Sequence, residues 1–381
     1  MDKSFSSSVQ SDLRENRFTV ELTRPTSTAF SENTTLDDLY FFPEGDFGWC
    51  FYERHGASFL PAIYCALFLV GLAGNSLVVW VLVRGVRLRN MTDVCLLNLA
   101  VADLLLVGSL PFLAYQARDQ WIFGDPMCRA LVGVHNIVFY SGIFFITVMS
   151  IDRYLAIVHA VYTLRARTRS TGVIVAVVTW VAGFLTSFPE LIYLKKQPDR
   201  TNATFCFPVY PTPTVDNSDT HFWRVFGLLK KNFIGLFVPM VVMTFCYSQI
   251  IRRLLSSQSS RRRTIHLVVT VVAVFFLCWV PYNVACLFKA LELLQVYTDC
   301  GSSKAIRLAL QITEVVAYLH SCLNPVLYVF VGRKFRNNLL RLIRRTPCGL
   351  RQLVKVLVPQ RQISRSNVSQ TTSVDEGSTA V

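Results

Sequence analysis

The sequence predicts an all-α membrane protein: a bundle of seven transmembrane helices followed by a short amphipathic eighth helix. Three observations predict it. Of 381 residues, 52 % are hydrophobic and 16 % charged, where an ordinary soluble domain carries about 25 % charged residues; mean hydropathy is +0.41. The apolar residues gather in seven long, charge-poor blocks, each close to the roughly 20 residues a helix needs to cross a bilayer core. The basic residues gather in alternate connections between those blocks.

Residues 1–58 precede the first block. In residues 1–60 ten acids stand against five bases, so this arm is acidic. No charged-plus-apolar leader opens the chain, so the first span is expected to direct insertion itself. Phe59 to Val83 then runs without a charge. The other spans fall near 94–116, 130–151, 172–194, 232–251, 264–288 and 308–331. Backbone polar groups in lipid must pair internally, so each span is expected to be a helix; a β-barrel would show alternating segments of roughly 10 residues instead.

Arginines fill four connections: Arg84, Arg87 and Arg89; Arg165, Arg167 and Arg169; Arg252, Arg253, Arg261, Arg262 and Arg263; and Arg333 and Arg336 with Lys334. By the positive-inside rule these lie in the cytoplasm and the amino terminus lies outside. The net charge of +14 is therefore read as a cytoplasmic face against anionic lipid, and no nucleic-acid partner is expected. Sequons at Asn33 and Asn202 fall outside and are the expected glycosylation sites.

Four cysteines lie on the outer side: Cys50, Cys128, Cys206 and Cys300. They allow three pairings in an oxidising compartment. The favoured set is Cys128 with Cys206 and Cys50 with Cys300; four free thiols is the other reading. Cys65, Cys95, Cys246, Cys278, Cys286 and Cys322 lie within spans, as packing residues.

After the last span, residues 332–347 place Phe335, Leu339, Leu342 and Ile343 on one helical face and basic residues on much of the other, the pattern of a helix lying along the inner leaflet. Cys348 is either a palmitoylation site or a plain thiol. Residues 348–381 read as a disordered cytoplasmic tail, whose Ser364, Ser366, Ser369, Thr371, Thr372 and Ser373 either take phosphate or simply solvate it.

Polar residues within spans are costly in lipid and should face the bundle interior. Here they are Asn75, Asn98, Asp103, Glu314, His320 and Asn324. Asp103 either binds a sodium ion or a proton, or holds a neutral carboxyl between helices; no other cofactor and no metal is expected. Pro111, Pro189, Pro239, Pro281 and Pro325 interrupt five spans and offer pivots. Arg153 lies 25 residues beyond Cys128, about 37 Å of helix. One helix thus joins an outer disulfide to an inner Asp152-Arg153-Tyr154, where release of Arg153 from an ion pair with Asp152 would offer a cation to a partner.

These residues carry a resemblance. Gly74-Asn75, Asn98-Leu99-Ala100-Val101-Ala102-Asp103, Asp152-Arg153-Tyr154, Trp180, Pro239 with Tyr247, Cys278-Trp279-Val280-Pro281 and Asn324-Pro325-Val326-Leu327-Tyr328, one set per span in order, resemble the class A G-protein-coupled receptors. The string from Asp152 to Ala160, Ser109-Leu110-Pro111, Asp119-Gln120-Trp121 and the stretch from Phe139 to Phe145 look like the CC chemokine receptors, nearest to types 4 and 8. Ser109, Leu113 and His135 depart from that pattern and put the preference for small molecules in doubt.

The resemblance implies a receptor that binds a CC chemokine outside and activates an inhibitory-class heterotrimeric G protein inside, driving migration and calcium signalling, with arrestin on the tail. It implies the Cys50–Cys300 bond, and ligand contacts at Asp37, Asp38, Tyr40, Tyr64, Trp279, Tyr282, Glu314 and Tyr318, some of whose aromatics instead serve as packing. It implies a switch at Asp152, Arg153, Tyr154, Tyr247, Asn324, Pro325 and Tyr328. Monomer and homo- or heterodimer stay open, as does a virus-encoded origin.

Rival classes fare less well. A transporter would show inverted repeats, a light sensor a lysine within 308–331, and a chemokine scavenger an altered Asp152-Arg153-Tyr154 region. No nucleophile–base pair marks an enzyme.

Overall fold

The computed structural model describes residues 55–86, 88, 90–159, 167–198, 204–210, 218–255, 262–331 and 333–345. Helix α1 spans His55–Val81 and ends in a π-helical turn, Leu82–Val86. Helices α2 (Met91–Arg118), α3 (Gly124–Val158) and α4 (Arg169–Tyr193) follow. A two-stranded antiparallel hairpin comes next, β1 (Leu194–Pro198) and β2 (Thr204–Pro208), with Lys196 opposite Cys206. Helix α5 runs through Ser218–Asn232, a π turn at Phe233–Phe237 and Val238–Leu255. Helices α6 (Arg262–Leu293), α7 (Cys300–Val331) and α8 (Arg333–Arg345) complete the chain.

Among the described residues six helices are long and apolar enough to cross a membrane. The seventh, α7, is 32 residues long and packs between α6 and α1, so the bundle closes on itself. Helix α3 is central: it packs on α2, α4 and α5 and meets the hairpin. Its start is set by Gly124, whose φ of +78° is a left-handed conformation that glycine adopts without a Cβ penalty.

The helices outrun the apolar blocks. The largest extension is in α5, which starts at Ser218 rather than near 232 and carries Lys230 and Lys231 inside the helix. Its π turn lies just before Pro239, where the missing N–H breaks the regular ladder. Pro61, unremarked in the sequence, also lies inside a helix.

Lipid and interior faces separate cleanly. Val173, Ile174, Val177 and Val178 on α4 are exposed, as residues facing hydrocarbon should be. Asn75, Asp103, Glu314, His320 and Asn324 are buried inside, where other helices supply partners. Of the span cysteines, Cys65 is exposed rather than packed, while the other five are buried; it sits on a lipid-facing stripe with Leu69 and Leu72. Phe335 and Leu339 of α8 are buried against the end of α1, so α8 has a floor of protein.

Candidate functional site

The bundle carries polar sites toward both ends. At the Cys128 end a disulfide joins Cys128, on the first turns of α3, to Cys206 on β2, with Cα atoms 5.5 Å apart. The hairpin is tied down further. Trp121, fully buried, donates its backbone N–H to Thr204 O at 2.6 Å, and Lys196 N donates to Asp125 Oδ1 at 2.8 Å. Cys300, at the start of α7, is also disulfide-bonded. Cys50, its expected partner, lies outside the described residues, as do Asn33, Asp37, Asp38, Tyr40 and Asn202.

Deeper within the bundle three expected residues meet. The Tyr318 hydroxyl donates to Glu314 Oε1 at 2.8 Å, and Tyr64 donates to Oε2 at 3.4 Å. Glu314 is 4 % exposed. Tyr318 O lies 3.0 Å from His135 Nε2, and His135 Nδ1 lies 2.9 Å from Ser109 Oγ. Each hydroxyl has one proton to give. Tyr318 gives its proton to Glu314 and Ser109 gives its own to Leu106 O at 2.6 Å, so a neutral His135 donates its one ring proton to one of these two hydroxyl oxygens. Ser109, Leu113 and His135, the positions that depart from the family pattern, thus belong to one neighbourhood on α2 and α3.

Trp279 and Tyr282 lie elsewhere in the interior. Trp279 meets the edge of Phe139, with centroids 5.1 Å apart, and flanks Phe275 and His320. Tyr282 faces Lys231, whose Nζ is 3.4 Å from its hydroxyl. The neighbouring Lys230 pairs with Glu190 at 2.6 Å and donates to Thr186 O at 2.7 Å. The sequence reading missed both lysines because it ended the span at them; their spacing from Pro239 was the available signal.

At the opposite end the expected Asp152–Arg153 pair does not form. Asp152, 3 % exposed, takes a two-pronged bond from Arg167: Nε to Oδ1 at 2.7 Å and Nη2 to Oδ2 at 2.8 Å. Thr92 Oγ1 donates to the same carboxylate at 2.6 Å. Arg153 is exposed, since adjacent helical residues point about 100° apart, whereas Arg167 reaches back from the connection after α3 with a planar fork that matches the carboxylate. Tyr154 bonds His159 at 3.0 Å. Tyr247 donates to Ser150 Oγ at 3.1 Å, because Ser150 gives its own proton to Ile146 O. Tyr328 rests on Phe335. Arg153, Tyr247 and Tyr328 therefore each face different surroundings.

Midway, Asn324 Nδ2 donates to Asp103 Oδ2 at 2.8 Å, Asn75 bridges to Ser321 O at 3.0 Å, and Trp180 Nε1 donates to Asn98 Oδ1 at 3.0 Å. Pro325 abuts Gly74, where a Cβ would come within 3.0 Å of its ring.

Comparison with known proteins agrees with this arrangement. Residues 74–328 match the family model "7 transmembrane receptor (rhodopsin family)". Human C-C chemokine receptor type 4 is 42 % identical over 325 residues, covering 83 % of this chain and 88 % of the relative. These are multi-pass plasma-membrane receptors and not enzymes. The chain belongs to the rhodopsin family of seven-transmembrane receptors, the class A G-protein-coupled receptors, and within it resembles the CC chemokine receptors.

Proposed function

We propose that the chain binds a CC chemokine at the Cys128 end, facing outward with the amino terminus, and activates an inhibitory-class heterotrimeric G protein at the Asp152 end. Migration and calcium signalling follow, and arrestin engages the phosphorylated tail. The observation that carries the reading is the buried carboxylate of Glu314 held by Tyr64 and Tyr318, in a chain similar to a receptor named for chemokines. A basic protein ligand fits the acidic arm electrostatically, and its terminal ammonium fits Glu314. Binding there shifts a population between closed and open bundles. At the other end, opening breaks the packing around Arg167 and Asp152 and exposes a cleft beside Arg153.

Asp103 belongs to the same reading as a sodium site. Its carboxylate is the hard oxygen chemistry such an ion takes, and the Asn324 amide, which donates to Oδ2, holds that carboxylate in place. Sodium-dependent ligand affinity should disappear in Asp103→Asn.

The test is nucleotide exchange on an inhibitory-class G protein, in membranes holding the full chain, against a panel of CC chemokines. Exchange that disappears in Arg153→Ala with binding retained supports the reading. Binding without exchange makes the chain a scavenger. Neither with any chemokine overturns the ligand class.

A further inference from the structure

Ser150 sits where α3 and α5 share a hydrogen bond. It is 1 % exposed, and Tyr247, across from it on α5, is 8 % exposed. The Tyr247 hydroxyl oxygen and Ser150 Oγ are 3.1 Å apart. Ser150 Oγ also lies 2.9 Å from Ile146 O, one turn back on its own helix. A hydroxyl has one proton to give, and a backbone carbonyl can only accept. The Ser150 proton goes to Ile146, so Ser150 faces α5 as an acceptor and Tyr247 is the donor.

The setting is apolar. Tyr247 belongs to one buried cluster with Ile146, Met243 and Ile250. A phenol hydroxyl in such surroundings costs free energy when it finds no acceptor. Ser150 supplies the acceptor while α3 and α5 keep this register, so the bond stabilises one arrangement of the two helices over others. One turn further along α3, the burial ends. Arg153 is exposed, and Tyr154 packs on Phe245 of α5 at 5.7 Å between ring centroids. Tyr247 thus stands at the border between the sealed interior and the open end of α3.

We propose that Ser150 is the positioning residue for Tyr247: it holds the phenol inside the resting bundle, and release of Tyr247 from it is one of the steps that open the Asp152 end. Removing the Ser150 hydroxyl strands the Tyr247 donor in the resting arrangement alone, so the population moves toward the released one. The role rests on the proposed coupling at that end.

The experiment uses the full chain in lipid nanodiscs, with 3-fluorotyrosine incorporated and no ligand added. The Tyr247 fluorine resonance is identified as the one missing from Tyr247→Phe. In Ser150→Ala a second resonance, from released Tyr247, should grow about tenfold, the worth of one hydrogen bond from a donor otherwise left stranded. Ligand-free nucleotide exchange on an inhibitory-class G protein should rise with it. Tyr247→Phe removes the same bond from the other side, so Ser150→Ala added to it should change exchange no further. A purely structural serine would lower the melting temperature of Ser150→Ala and leave basal exchange where it was. A Tyr247 resonance unmoved in Ser150→Ala, basal exchange unmoved in a receptor that responds to a chemokine, or an equal effect of Ser150→Ala with and without Tyr247→Phe overturns the role. A resonance that moves, in a receptor that drives no exchange with any chemokine, keeps the hold on Tyr247 and removes the coupling reading.

Discussion

Asp152 gathers α2, α3 and the connection before α4 around one carboxylate. With Arg167 and Thr92 both bonded to it, loss of the guanidinium leaves a buried anion with a single neutral donor. Arg167→Ala should cost about 2 kcal/mol and lower the melting temperature of the purified receptor. Arg167→Lys, a point charge without the fork, should recover part of that loss. The Lys230–Glu190 pair calls for a different design. Breaking a half-buried pair from one side strands the other charge, so Lys230→Met and Glu190→Gln should each destabilise. The Lys230→Met/Glu190→Gln double variant should cost less than the sum of the two, measured as a thermal-melting cycle. A strictly additive result would mean that the two charges do not interact.

Elements approach closely where glycine permits it. A Cβ on Gly172 of α4 would lie 2.9 Å from Met91 Cα on α2, and backbone cannot step aside as a side chain can. Gly172→Ala should therefore push the two helices apart, destabilising by about 1–3 kcal/mol and loosening the nearby Arg167 contact, visible as a lower melting temperature. The start of α7 has a titratable cap. Asp299 accepts from Ser302 N at 2.8 Å, and that backbone bond, with the Ser302 side chain, holds its carboxyl below the usual range. A depressed value means the cap is fully present above the ordinary carboxylate pKa and is lost as pH falls through the lower, folded-state value. Protection of the Ser302 and Ser303 amides relative to their intrinsic exchange rates should therefore fall on acidification, and Asp299→Asn should flatten that profile. Helix existence was legible in the sequence because lipid imposes length and apolarity on every span. The β1–β2 hairpin was not: its strands carry Lys195, Lys196 and Gln197 with no clean alternation, and its pairing depends on Cys128 and Trp121 from other elements.

Across the whole molecule, what was readable followed sequence distance and lipid chemistry. Glu314 and Tyr64 were expected in one site because the family resemblance implies it, and they meet across 250 positions of chain. The Asp152 partner was misassigned because adjacency in sequence is not adjacency on a helix, and Arg167 comes back from beyond the end of α3. Lys231 was lost because a charge was taken as a span boundary, whereas inward-facing aromatics keep it inside. The floor under α8 has its own consequence. Gly85 lets α8 settle so closely that a Cβ there would meet Leu342 Cδ1 at 3.1 Å and Asn338 Cβ at 3.3 Å, with Phe335 and Leu339 sealed beneath. A helix held by lipid alone would trade its amide hydrogens for deuterium within seconds of leaving the bilayer. In a neutral detergent micelle, with no anionic headgroup to attract its arginines, the amides of residues 338–342 should still exchange slowly, and Gly85→Val should make them exchange fast.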